Sequence, residues 1–128
     1  MIIDVPISLG ELLDKISILH IKLKNIKDHK KKELVKTELT LLEKKLDLSD
    51  LNQNLIKKYL EKLTDINSKL WKIEDSLRDK ERNKIFNQEF IELARSVYFT
   101  NDERSKVKLE INNTFGSKII EVKSYEEY

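Results

Sequence analysis

The chain has 128 residues, 39% hydrophobic and 38% charged, with a net charge of +2 at pH 7. That length suffices for one domain with its own core, and so lean an apolar fraction suits long amphipathic helices with solvated outer faces. The lack of cysteine excludes a disulfide framework and a thiolate metal site, no apolar run reaches the ~18 residues of a membrane span, and interleaved charge of both signs argues against a dedicated nucleic-acid binder.

Residues 2–6 read as a short strand that Pro6 confines to an edge or to the strand's end. Asp4 and Pro6 stand where a signal peptide would carry basic residues and then an apolar block, so the expected location is the cytoplasm. Ser8 then opens a helix over about 8–27, with Glu11 at capping-box spacing. Leu9, Leu12, Ile16, Leu19, Leu23 and Ile26 keep a 3-4 spacing, which is a coiled-coil seam. Ile18 and Ile21 lie on other faces, so this helix should have more than one packed neighbour, in a bundle or an oligomer.

Asp28 is the expected cap of a second helix over about 29–47, with Val35, Leu39, Leu42 and Leu46 on its seam. Lys30–Lys32 oppose the helix dipole there, so this start is weakly specified, and a solvated first turn explains the run. Ser49 is a candidate cap for a third helix over about 50–83, with the seam Ile56, Tyr59, Leu63, Ile66, Leu70, Ile73 and Leu77. At 1.5 Å per residue this helix would be roughly 50 Å long, which implies an elongated antiparallel bundle. Asn83 and Asn87 bracket a turn, a fourth helix follows over about 88–113, and Gly116 fits just past its end. Residues 119–124 read as a second strand, expected to pair with residues 2–6 and clamp the chain ends together. The expected fold is therefore all-α: one helical domain over residues 1–128, an elongated four-helix, coiled-coil-like bundle with a short terminal β-pair.

All four arginines, Arg78, Arg82, Arg95 and Arg104, lie in one stretch, whereas lysines run end to end. Arginine supplies a planar fork that lysine cannot replace, so the region from the sole tryptophan, Trp71, to Lys108 is the candidate site. Phe90, Leu93, Ala94 and Val97 form the apolar stripe of helix four, and continuing it at 100° per residue should place apolar residues near 101, 104 and 108. The chain has Asn101, Arg104 and Lys108 there, and His20 falls similarly among Leu9, Leu13 and Ile16 on helix one. Burying such groups is costly unless they are paired or face a polar cavity.

An antiparallel hairpin of helices three and four would put Arg104 near Asn67 and Trp71, with a guanidinium–indole contact in reach. Arg78 would pair along its own helix with Glu74 and Asp75. The functional reading is an anion or sugar site. Arg95, Arg104 and Lys108 would hold the anion, Trp71 and Tyr98 would stack a ring, Asn101 and Glu74 would orient it, and Arg78, Asp102 and His20 stand nearby. The plainer reading is an ion-pair network that fixes bundle register, and base rates favour it. His20 is more readily a packing histidine than a catalytic one. No metal motif and no glycine-rich phosphate loop is present, so no cofactor is expected. Glu74, Asp75, Asp79 and Glu81 could bind Mg²⁺ only in the weak sense that helix-borne carboxylates do.

Four segments carry a resemblance: Asp4-Val-Pro-Ile-Ser-Leu-Gly-Glu-Leu-Leu-Asp-Lys-Ile-Ser-Ile-Leu19, Leu70-Trp-Lys-Ile-Glu-Asp-Ser-Leu-Arg-Asp-Lys-Glu81, Phe90-Ile-Glu-Leu-Ala-Arg-Ser-Val-Tyr-Phe-Thr-Asn-Asp-Glu-Arg104 and Lys108-Leu-Glu-Ile-Asn112. With these the chain resembles, over nearly its whole length, a small bacterial and phage family of unknown function. Members look like stand-alone proteins or modules near surface-polysaccharide and glycosyltransferase genes. The family often has Asp-Pro where this chain has Asp28-His29. The resemblance implies a sugar-related ligand or partner and supplies no catalytic residues. The expectation is an interaction or scaffold protein, homo-oligomeric through the seams of helices one and three, with an anionic or sugar-containing ligand at the polar cluster. The rival is a small all-α enzyme acting on nucleotides or nucleotide sugars, with or without Mg²⁺.

Overall fold

A computed structural model describes residues 1–128 and contains four helices and no strand. Helix α1 spans Leu9–Asn25, α2 His29–Asp47, α3 Gln53–Arg82 and α4 Gln88–Phe115. Short polar stretches set the ends. Ser8 Oγ accepts from the Glu11 amide at 3.1 Å, and Asn87 Oδ1 accepts from the Phe90 amide at 3.1 Å. Gly116 closes α4 in the left-handed region, at φ 67°. Asp28 precedes α2 without a side-chain cap bond, in keeping with the lysines that follow it. Ser49 does not cap α3. Its hydroxyl donates back to the Leu46 carbonyl at the end of α2, and Asn52 takes the cap, accepting from the Leu55 amide at 3.1 Å.

α1 is the central element and touches each of the other three, while α2 packs on α1 alone. α3 and α4 form a long antiparallel hairpin, matched by Tyr59 to Glu110 near one end and Lys80 to Glu89 near the other. The core is built on Leu13, Ile16 and Leu19 of α1, Leu39 and Leu46 of α2, Ile56, Tyr59 and Leu63 of α3, and Ile111 of α4. Burying a leucine or isoleucine of this set contributes about 1.5–3 kcal/mol. α3 and α4 are far longer than α1, so beyond Ile73 and before Thr100 their hairpin continues as an arm in which no residue is fully buried. No helix is long and apolar enough to cross a membrane.

The expected β-pair of the chain termini is not formed. Residues 1–7 and 118–128 make no backbone–backbone hydrogen bonds. The two segments are drawn to different places. Asp4 reaches Lys45 of α2 at 3.8 Å, whereas the C-terminal segment lies back along α4, with Glu121 on Lys108 and Tyr128 on Asp102. A two-stranded ribbon needs a covering face to be stable, and neither location offers one.

Candidate functional site

The first turn of α1 is knitted to the end of α4. The Leu9 amide donates to Ser117 Oγ at 3.3 Å and the Gly10 amide to Asn112 Oδ1 at 2.7 Å. These side chains satisfy amides that no intrahelical carbonyl can reach. One turn further on, the same face of α1 presents Asp14 and Ser17, both fully buried. Asn67 of α3 donates to Asp14 Oδ1 at 2.9 Å and to Ser17 Oγ at 2.8 Å, while Ser17 donates to the Asp14 carbonyl at 2.7 Å. Arg104 of α4 grips the same carboxylate in a fork: Nε donates to Asp14 Oδ1 at 2.9 Å and Nη2 to Oδ2. That carboxylate holds the Arg104 pKa above the ordinary arginine value, against the opposing effect of burial.

A second ion-pair cluster sits beside the first. Lys108, 8% exposed, donates to Glu11 at 2.8 Å and to Glu121 of the C-terminal segment at 2.9 Å. Burial pulls the Lys108 pKa down, yet these bonds outweigh it and the net shift is upward. Glu121 is lowered from 4.5 to about 2, by Lys123 first and Lys108 second. A carboxylate with a depressed folded pKa contributes stability above its unfolded pKa and loses it as pH falls through the folded value. The Lys108–Glu121 contact of the C-terminal segment should therefore weaken as pH drops from about 4.5 toward 2, followed as a change in the amide shifts of residues 119–123. Glu121→Gln should show the low-pH shifts of these residues already at pH 7, and a pH-independent spectrum in the wild type would contradict the assignment.

Arg104 lies between two concavities. The larger, about 380 Å³, is lined by Ile18 and Ile21 of α1, Asn67, Leu70, Trp71, Glu74, Asp75 and Arg78 of α3, and Asn101 and Arg104 of α4. The other, about 300 Å³, is closed by the C-terminal segment and shares Asn101 and Arg104, with Asp102, Lys108 and Glu121 on its wall. Inside the first cleft, Glu74, Asp75 and Arg78 form no ion pair with one another or with any other residue, although their spacing on α3 would allow it. The Arg104 fork on Asp14 uses Nε and Nη2 alone, which leaves Nη1 without a protein partner.

Of the residues singled out by sequence, Trp71, Glu74, Arg78, Asn101 and Arg104 share the first cleft, and Asp102 and Lys108 the second. Arg95 and Tyr98 lie elsewhere. Arg95 pairs with Glu92 at 3.4 Å and sits 5.8 Å over the Phe99 ring, and Tyr98 stacks with Phe99 and Tyr128 on the outer side of α4. The expected Arg104–Trp71 contact is not formed, because Asp14 holds the guanidinium instead. His20 is not on the buried face. It is exposed and meets Glu43 of α2 at 3.1 Å. The expected pairing of Arg78 within α3 is likewise not formed. Sequence reasoning missed Asp14, Ser17, Glu11 and Glu121. The first two carry a usable signal: Gly10, Asp14 and Ser17 recur at helical spacing beside the leucine seam, a stripe of small and polar residues where another helix can approach closely.

No three histidine, aspartate or glutamate side chains converge at a spacing that would hold a metal ion. The chain belongs to the family of unknown function DUF6165, whose model matches residues 3–128. Neither a curated protein nor a solved structure is significantly similar to it.

Proposed function

We propose that this protein is a binding module whose cleft between α1, α3 and α4 takes a sugar ring. The observation that carries the reading is the pairing of an indole wall with polar groups left free. Trp71 lines the cleft together with Ile18, Ile21 and Leu70, and Glu74, Asp75, Arg78 and Arg104 Nη1 have hydrogen-bonding capacity that the protein does not use. An aromatic face with both donors and acceptors at its rim suits a polyol ring, whose hydroxyls need both. Charge balance favours a sugar over a bare anion. Arg78 and Arg104 are offset by Glu74 and Asp75, and buried Asp14 further neutralises Arg104, so the cleft has no surplus positive charge for a free phosphate.

Trp71 is the sole tryptophan and lines this cleft, so its emission reports on binding there. Titration with methyl glucoside, methyl galactoside, methyl mannoside and N-acetylglucosamine should give a saturable change for at least one. Glu74→Gln, at an exposed position, should weaken that response about tenfold, the loss of one charged hydrogen bond. A flat titration with all four sugars, or a response unchanged in Glu74→Gln, would overturn the reading. The enzymatic rival finds less support: Glu74 and Asp75 are the only carboxylates lining the cleft, and they are adjacent on one helix face.

The interaction half of the reading rests on the arm. The seams of α1 and α3 are spent inside the protomer, where Ile16, Leu19, Ile56, Leu63 and Leu70 are buried and Leu9, Leu12 and Leu23 pack against the core. Apolar surface available to a second copy includes the hairpin tip, at Ile85, Phe86 and Ile91. A two-helix arm without a buried residue gains stability by pairing into a four-helix arrangement. Light scattering at high micromolar concentration should show a dimer, which Phe86→Glu/Ile91→Glu converts to monomer. A wild-type monomer would refute self-association.

A further inference from the structure

Trp71 and Ile21 have a second side. Across them from the Arg104 cleft lies another concavity of about 300 Å³, lined also by His20, Lys24, Asn25, Thr64, Ser68 and Lys72. Its character is opposite to that of the first. No carboxylate lines it, and Glu43, the acid that reaches its edge, is engaged with His20 at 3.1 Å. Lys24 and Lys72 come from different helices, α1 and α3, and neither has an ion-pair partner within 4.0 Å. Two like charges held on one concave surface repel each other, and an anion between them relieves that repulsion. The neutral lining supplies donors as well. The Ser68 hydroxyl has no protein partner, and the Asn25 amide uses one N–H on the Ile21 carbonyl at 2.8 Å and keeps the other. The Thr64 hydroxyl is occupied by the Leu60 carbonyl at 2.7 Å, so it can only accept.

We propose that this basic cleft is a phosphate-monoester site, formed by Lys24, Lys72, Ser68 and Asn25 on the far side of Trp71 from the sugar cleft. The two concavities share Trp71 and Ile21 as a common wall, so each takes its ligand independently. The phosphate site stands on its own lining and does not depend on the reading of the first cleft.

The test uses the full chain and inorganic phosphate, with sodium chloride at matched ionic strength as control. Phosphate should shift the amide resonances of Asn25, Ser68 and Lys72 saturably and change Trp71 emission. Lys24→Gln/Lys72→Gln should weaken both responses at least fivefold while leaving the melting temperature and any methyl-glycoside response unchanged. Equal shifts with sodium chloride, an unchanged response in the double variant, or no saturable shift would overturn the proposal. The two readings fail separately. A silent glycoside titration with an intact, lysine-dependent phosphate response removes the sugar cleft and keeps the phosphate site. A glycoside response with no phosphate response does the reverse.

Discussion

Asp14→Ala should lower the unfolding free energy by about 3–4 kcal/mol, as expected when one partner of a buried ion pair is removed. The carboxylate is 1% exposed and accepts from three donors on two other helices, Asn67 Nδ2, Arg104 Nε and Arg104 Nη2. Its removal strands a guanidinium whose side chain is 28% exposed, so part of that charge regains water and the loss falls toward the lower half of the 3–5 kcal/mol typical of such changes. For a chain of this size the melting temperature should drop by roughly 10 °C or more. Arg104→Ala reverses the situation and leaves a fully buried carboxylate with only Asn67, so it should cost at least as much. The double variant Asp14→Ala/Arg104→Ala should cost clearly less than the sum of the two, a coupling of about 2 kcal/mol or more. Additive losses in urea unfolding would mean that the pair is not coupled.

The same pair separates arginine from lysine. Arg104→Lys keeps the charge but cannot offer two parallel N–H groups to Asp14, so about 1–2 kcal/mol should go with the lost bond. Lys106→Arg, at an exposed position with no ion-pair partner, should stay within about 0.5 kcal/mol of wild type. Equal melting temperatures for the two would contradict the fork seen at Asp14.

What could be read in the sequence follows from how far apart the interacting residues are. Ser8 with Glu11 and Gly116 after α4 are local signals, and each cap forms where its spacing places it. Arg104 and Lys108 were visible because they break a helical stripe, which needs only their own helix. Their partners were not, since Asp14 lies 90 residues from Arg104 and Glu11 97 residues from Lys108. On α1 the leucine seam through Leu12, Ile16 and Leu19 drew attention from the neighbouring stripe through Gly10, Asp14 and Ser17, which is the one α4 crosses. The terminal strands failed for a related reason. Alternating apolar residues make a segment competent to pair, but pairing also needs a partner in register and a surface to cover the ribbon. Asp4 and Tyr128 are instead fixed by contacts to α2 and α4 that no local pattern encodes.

Gly10→Ala reverses the usual effect of this substitution. In a helix interior, alanine is ordinarily better than glycine by about 1 kcal/mol. Here a Cβ on residue 10 would lie 2.6 Å from the Lys108 carbonyl oxygen, 3.1 Å from its carbon and 3.0 Å from Asn112 Oδ1. The nearest atoms belong to the α4 backbone, so no rotamer change relieves the clash and the two helices must separate. Separation also breaks the 2.7 Å bond from the Gly10 amide to Asn112, leaving both groups without a partner at a buried position. Overpacking of this kind costs about 1–3 kcal/mol and a lost buried hydrogen bond about as much, so the net loss should be about 2–4 kcal/mol after the propensity gain. Gly116→Ala supplies the contrast, because nothing lies within 4 Å of its would-be Cβ and only the left-handed backbone, about 1–2 kcal/mol, is at stake. Urea unfolding in which Gly10→Ala matches or exceeds wild type would refute the close crossing. The consequence reaches the site, because Glu11 follows Gly10 directly and Lys108 supplies the clashing carbonyl. Moving α1 off α4 lengthens the 2.8 Å Lys108–Glu11 pair and loosens the Arg104 fork one turn away. In the folded fraction of Gly10→Ala, Trp71 emission should therefore respond to the glycosides more weakly, although residue 10 does not line the cleft.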